Sequence, residues 1–428
     1  MVCYDFPPSS VGIWRTLKFC RYMGEFGWKP YILTVKPVRG PLQDEGPLKE
    51  LPPGTAVRRT GSLDPGRIAH IVSGSQTEGK TTIAKKNTNA TGRRVLDVFR
   101  RWVFVPDDRM GWIPFAKAEG RRWLREEKFD AIYSTSFPAS AHVVGASLAK
   151  KSGLPYLADF RDIWIGNYVF YQPATGLHDK FQRRLERRVV ETAGRVVSAT
   201  GPITEDFRQR HPEQNASKFV TITNGFDAED FVTAGVEADA SVYTITYAGT
   251  MYGSTNPQGF FRAVRALLEK EPRWRTVLRL RFVGSMIEPF RAMIGECGLS
   301  DITRVEPYAP HDEALRIMAE ADALLLIVST LPGSHIMLTQ KVFEYAAARR
   351  PVIGLVPEGA AREFLQEIDE GPIVHPEDEA GIEAALRGML TEWERDGRKM
   401  LGENVRLEKY QRRTLTRALC AELDAIAR

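Results

Sequence analysis

Short apolar runs closed by Gly, Pro, Ser or Asn alternate along this chain with longer stretches whose apolar residues recur every three or four positions. That rhythm predicts strands alternating with helices. The clearest stretch runs from Ala321 to Val356. Its continuous apolar run, Ala323 to Val328, reads as a strand buried on both faces of a parallel sheet. Leu331-Pro332-Gly333-Ser334 breaks the strand and leaves backbone N–H groups on offer. Thr339 is expected to cap a helix in which Val342, Phe343, Ala346 and Ala347 face the sheet. Lys341, Glu344 and Tyr345 are expected on its other side. The helix stops at Arg349-Arg350-Pro351, and a second buried strand, Val352 to Val356, comes next.

The same alternation fills the rest of the chain. Val2 to Phe6 predicts a strand, then a Pro-Pro-Ser-Ser-Val-Gly loop and a helix burying Ile13, Leu17, Phe19, Cys20, Tyr22 and Met23. Tyr31–Val35, Asp130–Ser136, Arg195–Ala199 and Val220–Thr223 read as further strands, Pro155–Trp164 as a strand delivering an acidic, arginine-bearing loop, with helices over Pro138–Lys151 and Phe181–Glu191 between them. After a polar segment ending at Ala240 the pattern restarts. Val242–Ala248 closes on Gly249-Thr250, Leu278–Val283 on Gly284-Ser285, and Val305-Glu306-Pro-Tyr308 is a short strand and loop. The last helix carries Leu415, Leu419, Leu423 and Ile426 on one stripe, a brace against the first domain. The reading is an α/β protein of two doubly wound, Rossmann-like domains at 1–230 and 241–395, with helices at 396–428 packing back toward the first.

Length and composition narrow this further. At 428 residues the chain exceeds one core, and 43% hydrophobic with 26% charged residues describes a globular protein. A net charge of +5 gives no bulk argument for nucleic acid. Four scattered cysteines suggest neither a disulfide framework nor a metal site. No leader and no membrane-length apolar run are read, so the cytoplasm is the expected compartment. The arginine-aromatic segment at residues 92–105 suits a headgroup layer, and it also suits a core-facing helix with arginines in solvent. The second reading is favoured, with peripheral membrane contact kept as the alternative. Gly74-Ser-Gln-Thr-Glu-Gly79-Lys80-Thr81 matches a phosphate-binding P-loop, yet the residues after Thr81 make a poor helix, which argues against an ATP or GTP site.

The chemistry collects at strand ends. A helix N-terminus at the carboxyl end of a parallel strand favours an anion, which makes Gly333, Ser334, Thr339 and Lys341 a candidate phosphate pocket. Glu344 suits a ribose diol, since a carboxylate accepts two hydrogen bonds. Gly12 permits close backbone approach, and Arg15 in the first helical turn is expected to reach a phosphate or sugar. Asp159-Phe-Arg161-Asp162-Ile-Trp164 brings carboxylates, a guanidinium and an indole to one loop, a set suited to sugar hydroxyls and ring faces.

Several stretches together resemble the GT-B glycosyltransferases, in particular family 4 (group 1). They are Tyr4-Asp-Phe-Pro-Pro-Ser-Ser with Gly12, Asp159-Phe-Arg-Asp-Ile-Trp164, Thr223-Asn-Gly-Phe-Asp227, Tyr247-Ala-Gly-Thr250 and Lys341-Val-Phe-Glu-Tyr345. The resemblance implies GT-B architecture, with two Rossmann-like domains facing across a cleft. It also implies sugar transfer from a nucleotide-diphosphate donor, most readily a UDP-sugar, to a glycan, lipid-linked or small-molecule acceptor. Retention of configuration, no required metal and no cofactor beyond the nucleotide-sugar are implied as well. By position Glu344 matches the ribose-binding glutamate and Gly12 a glycine beside the donor phosphates. Gly249 and Thr250 fall at the diphosphate, while Glu306 and Tyr308 fall near the base. Gly284 joins the donor set, and Arg161, Asp162, Lys341 and Arg15 form the catalytic set. Ile336 stands where many members carry a second glutamate, and Thr250-Met-Tyr-Gly-Ser replaces a common arginine-lysine pair. The rival readings are a UDP-sugar 2-epimerase and a non-catalytic nucleotide-binding scaffold.

Overall fold

Parallel strands set the architecture of both halves. The computed structural model describes residues 1–8, 12–37, 45–64, 67, 105–167, 171, 173, 175–231, 239–251, 253 and 255–427. The P-loop match and nearly all of the 92–105 segment lie outside the described residues. Two units divide the chain: Met1–Thr223 with Leu415–Arg428, and Asn224–Thr414. Residues 396–414 therefore stay with the second unit, and the return to the first begins at Leu415.

In the first unit, α1 (Trp14–Met23) leads to β1 (Tyr31–Val35) and β2 (Ala56–Thr60). Then come α2 (Ile113–Glu126), β3 (Ile132–Ser136), α3 (Ser140–Ser152), β4 (Tyr156–Phe160), α4 (Gly176–Thr192), β5 (Arg195–Ser198), α5 (Gly201–Arg210) and β6 (Phe219–Thr221). The order is β3-β4-β5-β6 in one run and β1-β2 in another, all parallel. Val2 joins the two runs by pairing in parallel with both Leu33 and Ser134. The expected first strand is thus reduced to this single bridge. The apolar positions expected on α1 are all buried, Ile13, Leu17, Phe19 and Cys20 completely.

The second unit runs β7 (Tyr243–Ala248), α6 (Gln258–Lys270), β8 (Leu278–Val283), α7 (Glu288–Glu296), β9 (Thr303–Glu306), α8 (His311–Glu320) and β10 (Ala323–Ile327). It continues through α9 (Gln340–Ala347), β11 (Val352–Leu355), α10 (Ala360–Ile368), β12 (Ile373–Val374) and α11 (Glu379–Asp396). Its six strands lie in the order β12-β11-β10-β7-β8-β9, all parallel. The winding reverses between β7 and β10, the crevice where open α/β sheets take ligands. Leu325 and Ile327 enter one apolar cluster and Leu324, Leu326 and Val328 another. That two-sided burial is why β10 reads as an unbroken apolar run.

The last helix, α12 (Arg412–Ala427), starts in the second unit and ends in the first. There Leu415, Leu419, Cys420 and Leu423 pack with Phe19, Tyr133, Leu157 and Val197. Among the described residues no helix is long and apolar enough to cross a membrane.

Candidate functional site

In the second unit the site is built where β7 and β8 end. Gly249 and Gly284 take φ of 126° and 123°, a region closed to residues with a side chain. A Cβ on Gly284 would lie 2.6 Å from the Gly249 carbonyl oxygen, so the two turns touch backbone to backbone. Gly249 N–H donates to Val283 O at 2.7 Å, and Gly284 N–H to Glu306 O at 3.1 Å.

Lys341, in the first turn of α9, lies across the Gly249 turn. A Cβ on Gly249 would meet its Cε at 2.3 Å and its Nζ at 2.4 Å. Nζ donates to Tyr247 Oη at 2.8 Å and stands 4.3 Å from that ring's centroid. Burial pulls this ammonium down to about 8, against the opposing pull of Glu344. Among the described residues Lys341 makes no ion pair, so a positive charge is held at strand ends with a neutral partner. Glu344, half-buried, accepts from Gln340 Nε2 at 3.2 Å, and the same amide donates to Gly225 O at 2.7 Å.

Three details of this region differ from expectation. Tyr345 is fully buried rather than outward, and its hydroxyl accepts from Ala248 N at 2.9 Å, fastening α9 to the end of β7. Thr339 sits at the N-cap with extended backbone, yet its side chain makes no capping bond and its buried Oγ1 has no partner among the described residues. Glu306 is committed to Arg281 at 2.9 Å and Arg304 at 3.0 Å, which leaves exposed Tyr308 as the unconstrained side chain beyond β9. Thr250 is exposed with its carbonyl on Tyr247 Oη, while Gly333 takes φ 89° and Ser334 is buried in the turn after β10.

In the first unit Gly12 (φ 67°) and Arg161 meet, the guanidinium donating to the Gly12 carbonyl. Arg161 Nε lies 3.5 Å from Asp162, whose side chain is half exposed. Asp5, beside this loop, escaped the sequence reading. Burial pushes its carboxyl up to about 6, with Arg161, Arg109 and Arg67 pulling the other way. Its only trace was its place in the Tyr4-Asp-Phe motif.

Arg15 does something other than expected. It is 2% exposed and bonds both oxygens of Asp159, at 2.9 and 2.8 Å. It also donates to Thr223 O and Ile222 O, each at 2.7 Å. Burial opposes charge on Asp159, yet Arg15 with the Tyr133 and Thr135 hydroxyls holds its carboxyl below the usual range. Arg15 is therefore an internal strut, because the helix face that carries it is the buried one. Trp164 is likewise interior, 2% exposed, with its indole N–H on Gln182 Oε1 at 3.0 Å, so no ring face is presented. Its neighbour Ile165 N–H donates to Glu186 at 3.2 Å, and these two α4 residues seat the loop that carries Arg161 and Asp162.

Residues 77–225 match the family model of the glycosyl transferase 4-like domain. Over the whole chain the fold is similar to the Candida albicans trehalose-6-phosphate phosphatase N-terminal domain (13% identity, 99% of this chain and 96% of that chain, TM-score 0.61). It is also similar to the lipopolysaccharide outer core galactosyltransferase WaaB (12%, 99% and 98%, 0.58). A third likeness is Anabaena HepE, solved in complex with UDP-glucose (14%, 99% and 96%, 0.54). Among curated proteins no sequence matches this chain. Residues 77–225 thus match a glycosyl transferase 4-like domain, and the chain as a whole has a two-unit α/β fold similar to that of a solved galactosyltransferase.

Proposed function

We propose that this chain transfers a sugar from a nucleotide-diphosphate donor, a UDP-sugar, to an acceptor hydroxyl. The observation that carries the reading is the Lys341 ammonium, laid across the Gly249 turn with no ion pair among the described residues. In the reaction the bond between the anomeric carbon and the diphosphate oxygen breaks, and the diphosphate leaves with the electron pair. The acceptor oxygen bonds that carbon and gives up its proton. Charge develops on the leaving diphosphate, where a preorganised cation stabilises the transition state. An anion beside Lys341 also restores the ammonium that burial weakens. Glu344 takes the ribose, and the turns at Gly249, Gly284 and Gly333 take the diphosphate. The solved UDP-glucose complex of a similarly folded protein supports the choice of base.

Arg161, Asp162 and Asp5 are assigned to the acceptor hydroxyls or to those of the transferred sugar. Arg15 is left out, its donors being spent on Asp159 and two carbonyls. Retention of configuration, no required metal and a cytoplasmic setting belong to the same reading. A thermal-shift panel of nucleotides and nucleotide-sugars tests it: a ligand at about a hundred times its dissociation constant adds about 2.7 kcal/mol. Stabilisation by uridine nucleotides, lost in Lys341→Ala and Glu344→Ala, is the expected result. Epimerisation of UDP-GlcNAc without any acceptor would replace this reading by the isomerase one.

A further inference from the structure

Among the described residues, helix α4 has an outer face that neither the packing of the fold nor the candidate donor site uses. Leu177 is 66% exposed and Phe181 50%, two large apolar side chains one turn apart. Around them Lys180, Arg184, Arg187 and Arg188 are exposed, and none makes an ion pair among the described residues. The spacing is what matters. Residues 177, 181, 184 and 188 take the four-, three- and four-residue steps of one helical stripe, and 180 and 187 flank it. The apolar pair at the start of the helix is therefore continued and bordered by guanidinium and ammonium groups. The acids of the helix are mostly turned from this face or already engaged. Asp179 is bonded to Arg183 and Tyr171, and Glu186 is buried against Arg210; exposed Glu191 stands at the far end.

A lone exposed Leu needs no explanation. An apolar pair bordered by unpaired cations on one helix is different, because it fits a surface that is apolar below and anionic above. Arginine and lysine stems lie along apolar groups while their heads reach charge. We infer that the outer face of α4 docks this enzyme on an anionic lipid bilayer, with Leu177 and Phe181 entering the headgroup boundary and the four basic side chains pairing with lipid phosphates. The site is separate from residues 92–105, and it does not depend on the donor reading because binding is measured without turnover. Helix α4 also seats the loop bearing Arg161 and Asp162 through Gln182 and Glu186, so docking would hold that loop near the lipid surface.

The test is co-sedimentation of the full chain with phosphatidylcholine vesicles, with and without about one third phosphatidylglycerol. Binding more than tenfold tighter to the anionic vesicles is expected, weakening as salt rises from about 0.1 to 0.5 M. Each neutralised basic residue should cost about fivefold, so Arg184→Gln loses about that factor and the Arg184→Glu/Arg188→Glu pair loses more. Leu177→Ser/Phe181→Ser should also release the protein. All these side chains are exposed, so melting temperatures should stay at the parent value. Equal binding to neutral vesicles, or unchanged binding by both double variants, would overturn the inference. So would a parent dimer that Leu177→Ser/Phe181→Ser converts to monomer by light scattering, since the face would then join copies of the chain. RNA bound as tightly as the anionic vesicles would make it a general polyanion surface and overturn it too.

Discussion

Arg15 and Lys341 occupy comparable places, each in the first turn of a helix of an α/β unit with parallel strands, and each was expected to meet substrate. Their surroundings separate them. Arg15 has a buried carboxylate gripping two of its nitrogens and two carbonyls taking the rest. Lys341 has a phenol, an aromatic face and a glycine turn. A cation whose charge is already answered holds structure together. On the proposed reading, a cation that makes no ion pair among the described residues and is pulled down to about 8 takes its answering charge from the donor diphosphate.

The sharpest way to break this contrast is Arg15→Ala. It strands the Asp159 carboxylate in the core and should cost about 3–5 kcal/mol in urea unfolding. Near-parent stability with lost activity would instead make Arg15 a ligand-binding residue. Lys341→Ala should do the reverse. Sugar transfer should fall about 100- to 1000-fold, equivalent to about 3–4 kcal/mol of transition-state stabilisation, with stability changed by less than about 1 kcal/mol. Gly249→Ala lies between them. It forces a side chain into positive φ and against Lys341, so a loss of about 1–3 kcal/mol in stability should accompany weaker donor binding.

The pH response sharpens the same point. The Lys341 amine is pulled down from 10.5 to about 8, so between those values the unfolded chain holds a proton that the native chain has released. Stability from this group therefore rises with pH across that window, and Lys341→Met should flatten the rise in pH-dependent melts. Donor affinity should move oppositely, weakening above pH 8 as the charge is lost. The smallest effect is expected from Thr339→Val. Its Oγ1 bonds nothing among the described residues, so stability should change by less than about 0.5 kcal/mol while donor affinity drops about fivefold by calorimetry.

The features legible in the sequence were local and periodic. Two-sided burial wrote β10 as a continuous apolar run, and the closely approaching backbones at Gly249 and Gly284 demanded glycine. Lys341 and Glu344 could be placed because they share one helix with the strand and turn just before them. Features that depended on partners far along the chain were not legible. Arg15 finds Asp159 across 144 residues. Trp164 was expected to offer a ring to a sugar, and Gln182 holds its indole indoors. Asp5 was given no role of its own in the sequence, and the arginines that act on it, Arg67, Arg109 and Arg161, come from distant segments. Such pairings are tertiary, and no residue pattern within a helix-length window of about a dozen announces them.

One consequence of α12 concerns synthesis rather than catalysis. Leu415, Leu419 and Leu423 complete an apolar cluster otherwise made from the beginning of the chain. During translation the N-terminal unit must wait, with that groove uncovered, while the entire intervening unit is made. Ribosome-bound nascent chains ending before residue 415 should thus be better chaperone clients and more easily cleaved by protease than those that include it.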